Sequence, residues 1–128
     1  MGAYGGTDAG GRGTGAFWAA LDGLLAGARC VIDRPAGSQH PRFPDMIYLV
    51  AYGYLEGTAS MDGGGIDVWR GSRPEPTLDA MICTVDVLKK DSEIKLLLGC
   101  TPEEKKRVYA FCNDSPFMKG LLFERPAG

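Results

Sequence analysis

Residues 48–70 read YLVAYGYLEGTASMDGGGIDVWR, and this stretch decides the fold class. Two runs rich in aromatic, β-branched and aliphatic residues flank a segment of Gly, Thr, Ser and Asp, as two strands joined by a turn-rich loop would. The runs predict strands over 46–55 and 65–70. Working outward, short apolar runs punctuated by Gly and Pro predict further strands near 29–33, 79–88, 94–98 and 120–124. PAGSQHPRFPD at 35–45 is too proline-rich for a helix and reads as a loop. Near each end lies a helix. Over 16–29, AFWAALDGLLAGAR places Phe17, Leu21, Leu24, Leu25 and Ala28 on one face, with Thr14 as the cap. Gly23 and Gly27 cost that helix about 1 kcal/mol each relative to alanine, so packing must hold it. A second helix starts at Thr101-Pro102-Glu103-Glu104, a capping box with proline in the first helical position, and ends near Asn113. Its core face is Val108, Phe111 and Cys112. The expected class is mainly β (α+β), a small barrel with an N-terminal and a C-terminal helix.

The 128 residues suit one domain, and 45% apolar with 23% charged residues excludes a wholly disordered chain. No apolar run approaches the length of a membrane span. The formal net charge of −2 provides no general field for nucleic acid. Residues 1–15, MGAYGGTDAGGRGTG, hold seven glycines and are expected to be a flexible arm before a single domain over 16–128. No secretory leader is expected. The cysteines at 30, 83, 100 and 112 form no C-x-x-C pair and His40 stands alone, which argues against zinc and for reduced, structural thiols in the cytoplasm.

Several polar residues need a reason. Asp62 and Asp67 are separated by Gly63, Gly64 and Gly65, a turn tight enough to bring two carboxylates together around a hard cation such as Mg²⁺. A plain hairpin, with Asp62 favouring the turn, explains the same spacing. Asp67 lies inside the apolar run Ile-Asp-Val-Trp, where a carboxylate needs solvent, a partner or a metal. Glu93 and Lys95 share a strand face, so that face carries both signs of charge; a solvated hairpin with salt bridges is the ordinary alternative. Tyr48 and Tyr52 share another face and can donate to an anion or serve as core. Arg42, in the proline-rich loop, can grip phosphate or simply face water.

Together these residues resemble the soluble family I inorganic pyrophosphatases over roughly 31–98. Val31-Ile32-Asp33-Arg34-Pro35, with Arg42 nine residues after Asp33, is similar to the family's Val-Ile-Glu-Ile-Pro strand and following lysine. Tyr48 through Thr58 resembles its Tyr-Pro-x-x-Tyr-Gly-Tyr-Ile-x-x-Thr segment. Asp62-Gly63-Gly64-Gly65-Ile66-Asp67-Val68 resembles the signature Asp-Gly-Asp-Pro-x-Asp-Val, and Glu93-Ile94-Lys95-Leu96 the Asp-x-Lys-Leu strand. The resemblance implies an OB-like five-stranded β-barrel and Mg²⁺-dependent hydrolysis of pyrophosphate to two phosphates. It implies Asp62, Asp67 and Glu93 as metal ligands, with Asp91 supporting another metal. Tyr52, Arg42 and Lys95 would contact phosphate oxygens, Asp67, Tyr52 and Lys95 forming the catalytic group. Tyr48 would support the pocket, and Asp33 would take the acidic place behind the ligands.

The departures are also specific. Gly64 stands where the family has the aspartate that helps deprotonate the attacking water, Gly65 replaces the next proline, and Pro44 replaces a glutamate. A hairpin bearing a phosphate-binding arginine is absent, since only six positions separate Arg42 from Tyr48. The acidic loop before Glu93 is shortened. Cys112-Asn113 stands where the family has a Tyr-Lys pair, and the helix over 16–29 has no family counterpart. Hydrolysis is therefore expected to be slow, or directed at a related phosphoanhydride. The alternative is a non-catalytic module binding a phosphate or nucleotide ligand on the same barrel. A nucleic-acid binder stacking bases on Tyr48, Tyr52 and Trp69 is disfavoured by the carboxylates. A homo-oligomer is expected, to cover the apolar helix faces.

Overall fold

The computed structural model describes residues 14–61 and 63–127. They form α1 (Thr14–Leu25), β1 (Arg29–Arg34), β2 (Ala51–Glu56), β3 (Ile66–Arg70), β4 (Leu78–Asp86), β5 (Asp91–Leu98), α2 (Pro102–Asn113) and β6 (Met118–Glu124). The arm expected over 1–15 lies mostly outside the described residues. Thr14 and Gly15, its last two positions, are already helical.

The strands form one six-stranded sheet in the order β1-β2-β3-β5-β4-β6. All neighbours are antiparallel except β3 and β5, which run parallel with Val68 opposite Leu96. After β3 the chain passes beyond the future place of β5, forms β4, and turns back to fill the gap. The mainly β, α+β class therefore stands, but the closed five-stranded barrel does not: the sheet has six strands, and β1 and β6 are its open edges among the described residues. Patterning counted the strands; which of them meet depends on long-range register.

Strand alternation divides the core in two. One face carries Tyr48, Val50, Trp69, Ala80, Ile82 and Leu97 against Val108 and Cys112 of α2. The other carries Leu55, Val68, Leu78, Leu96 and Leu98 against Trp18 and Leu21 of α1. Burying each of the valine, leucine and isoleucine side chains among them contributes about 1.5–3 kcal/mol. A bulge lets β4 serve both cores. Leu78 pairs with Leu98 and Ala80 with Leu97, so the extra residue, Asp79, moves Leu78 to the α1 side and Ala80 to the α2 side.

The cap of α2 forms as its sequence specifies. Thr101 Oγ1 accepts from the Glu104 backbone N–H at 3.1 Å, and Glu104 Oε1 accepts from the Thr101 N–H at 2.8 Å. The apolar face of α1 differs from the expected one. Trp18 and Leu21 are buried with Leu25 against them, while Phe17 and Leu24 stay exposed. Trp18 has the larger ring to bury, and Arg125 pins this rotation by lying over it while pairing with Asp22 at 2.7 Å.

At Gly53 the sheet is unusually tight. A Cβ there would land on the Val31 carbonyl oxygen of β1, with Ile32 Cα only 2.9 Å away. No helix among the described residues is long and apolar enough to cross a membrane.

Candidate functional site

Three adjacent strands bring one charged cluster together on the α2 side of the sheet. Tyr52 lies opposite Trp69 in the β2–β3 ladder, so its ring crosses diagonally toward Asp67. The parallel register of β3 and β5 sets Asp67 beside Lys95, and Glu93 precedes Lys95 on the same face. Tyr52 Oη donates to Asp67 Oδ2 at 2.6 Å. The Lys95 ammonium donates to Asp67 Oδ2 at 2.9 Å, Glu93 Oε1 at 2.8 Å and Tyr52 Oη at 2.8 Å. An ammonium has three protons, and each has an acceptor here. Lys95 is only 9% exposed.

The electrostatics follow from that packing. Burial opposes the charge on Lys95, but Tyr52, Asp67 and Glu93 outweigh it and raise its pKa above the ordinary lysine value. Burial likewise opposes the Asp67 carboxylate. The Lys95 charge, with the hydrogen bonds from Tyr52 and Lys95, outweighs this and holds Asp67 below the usual carboxylate range. Burial, more than any charge, drives the Tyr52 phenol upward, so it remains a protonated donor.

The cluster rests on an aromatic floor. The Tyr52 and Trp69 ring centroids are 4.6 Å apart, and Phe111 of α2 lies 4.9 Å from Tyr48 and 5.2 Å from Trp69. On the α1 side of the sheet, a cavity of about 550 Å³ lined by Leu21, Leu24, Ile66 and Leu96 also borders Asp67 and Glu93.

The remaining candidates are dispersed. Asp62 lies outside the described residues. The loop around it is closed by Ser60 N–H donating to the Gly64 carbonyl at 2.7 Å. At Gly65, a Cβ would meet the Leu55 carbonyl oxygen at 2.6 Å and Tyr54 Cδ2 at 2.8 Å, so glycine is what this approach to β2 tolerates. Asp91 faces Lys89 of its own hairpin at 3.8 Å. Tyr48 is buried and accepts from Arg34 Nη1 at 2.7 Å. The Arg42 side chain is exposed on its loop, apart from the Lys95 cluster's hydrogen bonds. Trp69 and Tyr48 are 2% and 3% exposed, which leaves neither ring open for stacking a base.

Asp33 does not reach the cluster. Plain alternation would set it opposite Tyr52, but the β1–β2 register shifts after Ile32, and Arg34 takes that place while Asp33 is exposed. Arg34 is therefore the site-face residue that the sequence reading missed, because nothing local in the sequence announces the bulge.

The donor chemistry suits a hard divalent cation, since Asp67 and Glu93 offer carboxylate oxygens. Among the described residues it stops at two acids: no cluster of three or more His, Cys, Asp or Glu that could hold a metal is formed.

No protein-family model and no curated protein matches the chain. Solved structures do. An inorganic pyrophosphatase from Neisseria gonorrhoeae is similar with a TM-score of 0.59 at 16% identity, over 75% of this chain and 81% of that one. An inorganic pyrophosphatase from Coxiella burnetii is similar with a TM-score of 0.52 at 14% identity, over 75% and 84%. At such identities the likeness is one of architecture. The chain has a pyrophosphatase-like fold.

Proposed function

We propose that the chain binds pyrophosphate, or a closely related small phosphoanhydride, at the Tyr52–Asp67–Glu93–Lys95 cluster and hydrolyses it slowly with Mg²⁺. The observation that carries this reading is the buried Lys95 ammonium bonded at once to two carboxylates and a phenol. A metal–phosphate ligand needs both signs of charge side by side, and this face supplies them. Asp67 and Glu93 would hold the ion, with Asp62 as a third ligand and Asp91 supporting another. When bound, Mg²⁺ supplies positive charge to the phosphate oxygens and acidity to a water. Lys95 would turn its ammonium to a phosphate oxygen. Tyr52, kept protonated by burial, would donate to another. Tyr48 would support the pocket from behind, and Arg42 would approach from its loop.

Gly64 has no side chain to serve as general base, a role worth about 10²–10⁴-fold, and this supports a slow reaction. The same glycine favours a second reading, a binding module without turnover. Phosphate release from pyrophosphate with Mg²⁺, in wild type and Asp67→Asn, decides between them. Release that is lost in Asp67→Asn is expected. Pyrophosphate binding with no release in the wild type would establish the second reading instead. The exposed Leu24, Val85, Ile94 and Leu121 support association of copies, and four free cysteines support a cytoplasmic setting.

A further inference from the structure

A second cationic group lies across the tyrosine pair from Lys95. Lys95 Nζ stands 5.3 Å from the Tyr52 ring centroid, and Arg34 Cζ stands 5.4 Å from that of Tyr48. The two rings are 5.6 Å apart. Lys95 spends its charge on Asp67 and Glu93, whereas no described carboxylate pairs with Arg34. Of the five N–H donors of that guanidinium, one goes to Tyr48 Oη at 2.7 Å. An arginine bonded to a neutral hydroxyl, half-buried and without a counter-charge among the described residues, is poised for an anion.

Its surroundings add donors. The His40 ring stacks on Tyr48 at 6.0 Å with an interplanar angle of 10°. Its Nδ1 accepts the backbone N–H groups of Arg42 at 3.0 Å and Phe43 at 3.3 Å, which leaves the ring proton on Nε2 as a donor. Partial burial, followed by the charges of Arg34 and Arg42, holds His40 below its ordinary pKa.

We infer that Arg34, with Arg42 beside the His40–Tyr48 stack, forms an anion subsite that takes a phosphate group, the one remote from Lys95 when the ligand is a phosphoanhydride. The second clause rests on the function proposed above. The subsite itself does not, because it needs neither metal nor hydrolysis. Arg34 owes its place to the bulge at Asp33, which turns it to the face of Tyr52.

Calorimetric titration of the full chain with inorganic phosphate, without metal, tests the subsite. Binding is expected in the wild type, weakened about tenfold or more in Arg34→Gln and a few-fold in Arg42→Gln, with melting temperatures unchanged. Arg34→Lys, which keeps the charge but loses the planar fork, should fall between. Equal phosphate affinity in wild type and Arg34→Gln overturns the inference. Arg42 is exposed on a loop, so if Arg34→Gln fails to fold, equal affinity in Arg42→Gln overturns it as well. Phosphate binding that depends on Arg34, with no pyrophosphate cleavage by any form, leaves the subsite standing and removes the hydrolase reading. Cleavage with KM and phosphate affinity both unmoved by Arg34→Gln does the reverse.

Discussion

Replacing Lys95 by methionine separates the two roles of its ammonium, holding the fold and preparing the site. The substitution keeps most of the buried stem and removes three hydrogen bonds of 2.8 to 2.9 Å. It strands Asp67 and Glu93, whose side chains are 28% and 15% exposed, facing one another without a counter-charge. Breaking a buried pair by removing one partner costs about 3–5 kcal/mol. Water reaching Asp67 places this case near the low end, about 3 kcal/mol. In a chain of this size each kcal/mol moves the melting temperature by roughly 3–5 °C, so a fall of about 10 °C at pH 7 is expected. Two close carboxylates without an ammonium then compete for one proton. The deficit relative to wild type should therefore shrink on going from pH 7 to pH 5, and Mg²⁺ should shrink it at pH 7. Thermal melts followed by circular dichroism measure all three effects. A variant as stable as wild type at pH 7, or one whose deficit grows toward pH 5, would refute the reasoning.

Two further predictions concern the sheet and its titration. Gly53→Ala should weaken the fold by at least about 2 kcal/mol in urea unfolding, because a Cβ there forces β1 away from β2; an unchanged midpoint would mean that β1 is not held this closely. The Asp67 contribution, set by a lowered pKa, is present above about pH 3.9 and is lost as pH falls through its folded value. The Lys95 contribution, set by a raised pKa, is full below about pH 10.4 and is lost only as pH rises through its folded value. His40, whose pKa is lowered, loses its contribution as pH falls below about 6.5. Melting temperature against pH should show an acid limb below about pH 4 that Asp67→Asn reduces, and a gentler slope below 6.5 that His40→Gln removes.

What the sequence disclosed was whatever depends on neighbours along the chain. The strand at Ile66–Arg70 and the capped start of α2 at Thr101 are written in local alternation and local hydrogen bonding. Glu93 and Lys95 sharing a face needed only period-two geometry. The contact of Lys95 with Asp67 was foreseeable only through the family resemblance, because it depends on the parallel register Val68–Leu96 between strands distant in sequence. The open sheet and the exchange of Asp33 for Arg34 had no local sign. Both follow from register: a strand order in the first case, one extra residue in β1 in the second. The rotation of α1 lay between these extremes. Trp18 and Phe17 are adjacent, either fits a helical stripe, and the partner surface with Arg125 decides.

The cluster's construction separates the residues that match the pyrophosphatase pattern from those that depart from it. Tyr52, Asp67, Glu93 and Lys95 all stand on strands, and their spacing is set by ladder register over an aromatic floor. Loops contribute the residues that differ most from the family pattern: Gly64 in the turn before β3, Pro44 and Arg42 in the segment before β2, and the short hairpin before Glu93. Side chains on a sheet keep their relative positions while loops are rebuilt. The charges to which the proposed function assigns a phosphate ligand thus stand on the rigid part of the molecule. The loops, by contrast, hold Gly64, which offers no base, and the exposed Arg42. On the proposed reading, a chain that keeps the strands and changes the loops would keep its ligand class more firmly than its rate. The bulge at Asp33 fits the same logic, because it adds a cation to the face of Tyr52 from within a strand, where it too is held by register.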